Sequence, residues 1–464
     1  MVKYNPVTPE LIEELKQAIG AENVITAAEK LEQYKTDEEG NPKYHRVPEV
    51  VVLPGTTEEV AAIVKLANKY LVPITPRSAG TSLAGGAIPV YHGIVLLMER
   101  MNKIVEVNAE SLYMITEAGV RTEDVQKAAG ELGLLYAGDP CSADSCLIGG
   151  NIATNAGGNK AVRYGTTRNQ VYALEVVTPT GEITTLGARL NKNSTGFALE
   201  QLIMGAEGTL GIITKATLKL VPLAPNRMDL LAIFTDLEQA INVVPKILKA
   251  GINPTSVEFM ANDALQATCE YLQVQMPHQQ DGLYVIITLE SFSEEELENN
   301  VVMLDELCTE AGAVEVLEAD ERVWKVRKNF AEAGRAKSLI NVTEDAVVPL
   351  DKIVDLIREA DVMRAKHNIQ LGTVAHIGDG NVHFMIFKGE LSDDVWEETL
   401  ENFHFDLYKY VYSIGGRISG EHGIGHKKIK LLETYADPVE LQIMRNIKKA
   451  LDPNGIMNPG KVFN

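Results

Sequence analysis

The hydrophobic pattern changes character near the middle of the chain. In the first half, short apolar runs alternate with helical periodicities. Val50-Val51-Val52-Leu53, bounded by Pro48 and Pro54, predicts a buried strand, and Val72 to Thr75 predicts the next. Between them, Thr56-Thr57-Glu58-Glu59 reads as a capping box that opens an amphipathic helix through Asn68, giving a βαβ start. Ahead of it, Thr8-Pro9 opens a helix and Gly20 closes it. Residues 226–412 read differently. Strand-like runs at Leu230–Phe234, Leu283–Leu289 and Val314–Leu317 alternate with helical stretches at Asp236–Ala250 and Ser293–Ala311. Pro222, Pro225 and Asn226 mark the boundary, and a last helix is predicted over Pro438–Leu451. No internal repeat or low-complexity tract is evident.

Three glycine-rich segments interrupt this pattern, each flanked by strand signals. The first runs from Pro76 through Arg77, Ser78, Ala79, Gly80, Thr81 and Ser82 to Gly86. A loop of such small residues lets backbone amides approach a phosphate closely. The second is Gly149-Gly150-Asn151-Ile152-Ala153-Thr154-Asn155-Ala156-Gly157-Gly158, followed by Tyr164-Gly165. The third, Gly205-Ala206-Glu207-Gly208-Thr209-Leu210-Gly211, precedes the strand-like Ile212-Ile213-Thr214. None is G-x-G-x-x-G or a Walker sequence, which argues against nicotinamide and nucleoside triphosphate binding. Each alone could be a flexible surface loop. Three together suggest a long ligand threaded between sheets, and a dinucleotide such as FAD has that size.

Composition narrows the classes. A length of 464 residues allows two or three domains. The formal charge of −21 argues against a nucleic-acid role, because phosphate-binding surfaces need clustered Lys and Arg. Cys141, Cys146, Cys269 and Cys308 form neither a C-x-x-C pair nor an iron–sulfur spacing, so they read as reduced thiols of a cytoplasmic protein. No apolar run resembles a signal peptide or a membrane span.

The candidate chemistry lies at His376-Ile-Gly-Asp-Gly-Asn-Val-His383. Asp379-Gly380 favours a two-residue hairpin turn, which would set Gly378 opposite Asn381, Ile377 opposite Val382 and His376 opposite His383. Two imidazoles so placed can share a divalent ion, with a third ligand from Glu421-His422-Gly423. A lone histidine is more often a satisfied polar residue, but three of the nine histidines fall in these two segments. A divalent metal held there could bind a substrate hydroxyl and lower its pKa. His376, His383 and Glu421 can supply neutral imidazoles and an ionised carboxylate, a set that suits zinc, iron or manganese. His422 fits a general base, or else a partner of Glu421. Adjacent residues in an extended chain point to opposite sides, which favours the base. Arg327 is a candidate partner for a substrate carboxylate, against the alternative of a helix-surface charge.

Segments 76–86, 138–165 and 205–214 resemble the FAD-binding domain of the vanillyl-alcohol oxidase/PCMH superfamily. The histidine pair, Glu421-His422-Gly423 and the ending from Asp452 through Asn458 to Lys461 resemble its 2-hydroxyacid dehydrogenase branch. The resemblance implies an α+β protein. A PCMH-type FAD-binding domain would span 1–225 and an α+β cap with an antiparallel sheet 226–412. Residues 413–464 would return to the flavin. It implies a non-covalent FAD held by Arg77 to Ser82, by Pro140 and Ser142, and by Gly149, Gly150, Asn151, Thr154, Asn155, Gly157, Gly158 and Tyr164. Glu207, Gly208, Gly211, Ile212 and Asn458 complete that set. It makes His376, His383 and Glu421 the metal ligands, with both histidines also touching substrate, and His422 the base.

Val342 or Thr343 and Met385 stand where relatives that handle dicarboxylic acids carry extra polar groups, which favours a small monocarboxylate, D-lactate before glycolate. Electrons are expected to pass to a soluble partner such as electron-transfer flavoprotein, or to an iron–sulfur subunit. A metal-free flavin alcohol oxidase and a non-catalytic electron-transfer flavoprotein are the competing readings. The ligand set argues against the first, and retention of both ligands and base argues against the second.

Overall fold

Val50, Val51 and Val52 are completely buried, as are Ile94 through Leu97, because both runs lie inside a sheet covered on two faces. In this four-stranded sheet Ile94–Leu97 pairs in parallel with Val50–Val52 on one side and with Ile74–Arg77 on the other. The first βαβ unit is therefore real, but a later strand separates its two strands. Thr8 caps the helix Pro9–Ile19, and Thr56 caps Thr57–Tyr70. Glu59 reaches back one residue further than a capping box requires, to the N–H of Gly55 at 2.6 Å. An antiparallel five-stranded sheet follows, ordered Ile104–Asn108, Tyr113–Glu117, Ile212–Lys219, Val171–Val177, Ile183–Gly187.

The second half of the chain builds one seven-stranded antiparallel sheet. Its order is Glu315–Glu318, Asn226–Phe234, Leu283–Ser291, Ser256–Met260, Gln370–His376, Asn381–Phe387, Asn341–Val347. One face packs Met260, Val374, Met385 and Phe387 against residues of the helices Asn262–Leu272, Glu321–Lys328 and Phe330–Lys337. On the opposite face Glu344 accepts a hydrogen bond from Tyr408 of the helix Asp393–Ser413.

The computed structural model describes residues 3–463, and chain contacts divide it into two units. One holds the chain through Gly157, Thr166–Leu223 and the segment from Glu421 on; the other holds Gly158–Gly165 and Ala224–Gly420. The strip carrying Gly158 and Tyr164 thus groups with the cap sheet, and so do residues 413–420. No disulfide is formed among the described residues; Cys141 is exposed and the other three cysteines are buried. No helix among the described residues is long and apolar enough to cross a membrane.

Candidate active site

In the first unit the strand Ile74–Arg77 ends in the first glycine-rich loop. The backbone N–H groups from Ser78 to Ser82 have no hydrogen-bond acceptor among the described residues, although the loop is half-buried. Buried donors are nearly always paired, so such a run is a cradle for an anion. Arg77 Nη1 donates to Thr36 O at 2.7 Å, and a side chain on Gly80 (φ +77°) would collide with its guanidinium. Arg77 thus braces the loop at Gly80.

The second segment is half helical. Ile148–Thr154 forms a helix that stops at Asn155, which takes the left-handed conformation. Gly149 is small because it packs on Ala118, where a Cβ would come within 2.7 Å of another Cβ. Gly150 faces Ser78 in the same way, so the first two segments touch. Asn151 is tied internally to Thr122 at 2.5 Å, and the Thr154 hydroxyl to Gly150 O. Pro140 and Ser142 lie in a turn whose carbonyls accept from Ala143, Ser145 and Cys146. The third segment docks on the same helix: Gly205 N–H donates to Ile152 O and Glu207 N–H to Ala153 O. Gly208 (φ +70°) lies against Pro76. Gly211 abuts Val176 at the start of the strand Ile212–Lys219, whose first residue is buried.

Glu207 is buried and accepts from the N–H groups of Ile424 and Gly425, each at 2.7 Å. Burial pushes its carboxyl pKa up, against those hydrogen bonds. It holds the backbone just after His422. Asn458 Nδ2 donates to Glu207 O at 2.7 Å, while its buried Oδ1 has no partner among the described residues. Unpaired amide donors for a pyrophosphate and an orphaned acceptor for a ring N–H fit a flavin dinucleotide.

Gly157 makes room for Glu421, since a Cβ there would lie 2.7 Å from Glu421 Oε2. His422 Nε2 lies 3.8 Å from Glu421 Oε1, so these neighbours lie alongside each other, contrary to the extended-chain expectation.

In the cap unit the hairpin exists with a different register. His376 pairs with Asn381 and Val374 with His383, so the turn spans four residues, Ile377 to Gly380, instead of two. The shift is by two, and side chains alternate with period two, so both histidines stay on one face as diagonal neighbours. Their ring centroids are 5.1 Å apart with planes at 86°. On the same face His376 lies opposite Glu258, and its Nδ1 is 2.7 Å from Glu258 Oε1. His383 lies opposite Asp345, whose Oδ2 accepts from Ser419.

Arg327 is buried, not a surface charge, and its Nη2 donates to Glu258 Oε2 at 2.7 Å. Its Nε has no partner among the described residues. One donor of the guanidinium is therefore committed within the protein. Glu258 gave no sequence signal, because its partners lie 69 and 118 residues away. One ligand atom each from His376, His383 and Glu421, the residue directly after Gly420, fall within 4.8 Å of one another. Two imidazoles and a carboxylate at that spacing fit a divalent cation.

Residues 224–462 match the family "FAD linked oxidases, C-terminal domain", and residues 48–187 match "FAD binding domain". The chain belongs to the FAD-linked oxidases. It is 38% identical to a D-lactate dehydrogenase of Anaerostipes hadrus, over 99% of this chain and 98% of that one. It is 33% identical to the glycolate oxidase subunit GlcD of Bacillus subtilis, over 98% and 97%. A p-cresol methylhydroxylase solved with substrate bound shares the fold, at TM-score 0.84 and 18% identity over 100% of this chain and 98% of that one. Within the FAD-linked oxidases the chain falls among the FAD-dependent 2-hydroxyacid dehydrogenases, and its α+β fold is that of p-cresol methylhydroxylase.

Proposed function

We propose that this FAD-linked oxidase converts a small D-2-hydroxy acid, D-lactate before glycolate, to the 2-oxo acid. The observation that carries the reading is the convergence of His376, His383 and Glu421 on a volume that suits one divalent ion. Bound there, a zinc, iron or manganese ion supplies Lewis-acid polarisation of the substrate hydroxyl, and a non-covalent flavin supplies the hydride acceptor. The protein's own groups do the remaining work. His422 takes the hydroxyl proton. Arg327 offers its uncommitted Nε edge to the substrate carboxylate.

Met385, two residues beyond His383 and on the same face, is buried in an apolar cluster with Phe330 and Phe387 and lies opposite Thr343. An apolar side chain at that point supports a monocarboxylate over a dicarboxylate. The relatives' names support the same substrate class. Electrons then leave the flavin for a soluble acceptor in the cytoplasm, such as electron-transfer flavoprotein or an iron–sulfur subunit.

Anaerobic D-lactate is expected to bleach the flavin of the metal-loaded protein. His383→Ala should lose metal and bleaching together while retaining flavin. A variant that keeps both metal and turnover would make His383 structural and end the metal reading.

A further inference from the structure

Glu258 is a charged residue at the centre of the cap sheet with no exposed surface, on the strand Ser256–Met260. An isolated carboxylate there is very costly, so its retention asks for a reason. Its two oxygens face different partners. Oε1 is 2.7 Å from His376 Nδ1, and Oε2 is 2.7 Å from Arg327 Nη2. The guanidinium of Arg327, which is always charged, donates to Oε2, so its buried partner stands as the carboxylate. An ionised carboxylate only accepts, so His376 must donate through Nδ1–H. The ring nitrogen that carries the lone pair is then Nε2.

We infer that Glu258 is the positioning residue of this site: it fixes the tautomer and ring angle of His376 as a metal ligand and, through its other oxygen, aims Arg327. This rests on the metal reading given above. The register supports the role, because Glu258 and His376 are direct cross-strand partners and the link spans one rung of a rigid ladder. A carboxylate on the far nitrogen of a ligating imidazole raises its basicity, and removing such a partner typically weakens metal affinity ~10–100-fold. The alternative is a merely structural role, with Glu258 serving only as counter-ion to the buried Arg327. The two roles differ in what happens when both charges are removed together.

The test uses the flavin-loaded protein, stripped of metal by chelation and titrated with Zn²⁺ alone against a competing chelator. Wild type is compared with Glu258→Gln, with the double variant Glu258→Leu/Arg327→Met, and with His383→Ala. The double variant replaces the ion pair by apolar groups of similar volume, a change that buried pairs often tolerate. It therefore keeps the test open if the single variant fails to fold. Both Glu258 variants are expected to bind Zn²⁺ 10–100-fold more weakly with flavin content unchanged. Near-wild-type affinity in the double variant would reduce Glu258 to a counter-ion and overturn the inference. Unchanged affinity in both variants, while His383→Ala loses Zn²⁺, would overturn it and leave the metal reading standing. If His383→Ala binds Zn²⁺ as tightly as wild type, the metal reading falls and takes this inference with it.

Discussion

Gly157 was legible as a residue that must be small. Glycine-rich sequence suggested a backbone close to the flavin, and the space beside its Cα is filled by Glu421 Oε2. The distinction is testable with the smallest change available. Gly157→Ala should retain FAD and lose metal affinity by at least about tenfold, because the new methyl displaces a proposed metal ligand. Loss of FAD with metal affinity intact would return Gly157 to the cofactor cradle. The adjacent Glu421 and His422 were readable as a carboxylate beside an imidazole, and their lateral arrangement at 3.8 Å was not. His422→Ala should keep metal and FAD while flavin reduction by D-lactate slows ~10²–10⁴-fold, the usual worth of a general base. Stopped-flow bleaching measures this without any acceptor, and a wild-type rate would remove His422 from the chemistry. Arg327 and Glu258 show the limit of a single sequence. A buried ion pair between a helix and a strand 69 residues apart leaves no periodic trace in either element.

At the scale of elements, periodicity located what it could. The helix Pro438–Leu451 begins and ends where its proline and apolar spacing predict, and the cap strands centre on their apolar runs. The misread pieces have definite causes. Asp379-Gly380 resembles a two-residue turn, yet Gly380 (φ +88°) passes within 2.1 Å of Val348 O at its Cβ position. Its conformation thus serves a tertiary approach inside a longer turn. Residues 148–154 look like a loop because their glycines answer to packing on Ala118 and Ser78, while the helix is held by tertiary contacts. The segment after His422 has no regular structure and is held by the Glu207 carboxylate together with Ala84 O, which accepts from the N–H groups of His426 and Lys427. Glu207→Gln would set an amide NH₂ against one of the two N–H groups it now accepts from, leaving a buried donor unpaired. The expected cost is ~1–3 kcal/mol. Amide exchange at Ile424 and Gly425 should accelerate, with little change in the cap sheet. Unchanged exchange at those two amides would show that Glu207 is not the anchor.

For the molecule as a whole, the sequence predicted an acidic, flavin-binding α+β protein, and both family matches agree with that class. Bulk charge could not reveal how the few buried charges are distributed. Lys461 is one of them: it is 2% exposed, and its ammonium donates to Ile88 O at 2.6 Å. Burial lowers its pKa to about 7, against the pull of Asp37 and Glu207, from an ordinary value of 10.5. Between these two values the unfolded chain binds a proton that the folded protein does not. Stability therefore rises with pH across that window and levels off above it. Asp37 acts elsewhere: burial raises its carboxyl to about 6, so its contribution falls as pH climbs from about 4 to 6. The two effects separate cleanly on the pH axis. Lys461→Met removes the first, so the stability of wild type relative to this variant should grow from pH 7 to pH 10, by on the order of a few kcal/mol. Thermal melts of the flavin-loaded proteins at pH 7, 8, 9 and 10 measure that difference directly. A difference that stays flat with pH would mean that Lys461 remains fully charged in the folded protein, with Asp37 and Glu207 offsetting its burial.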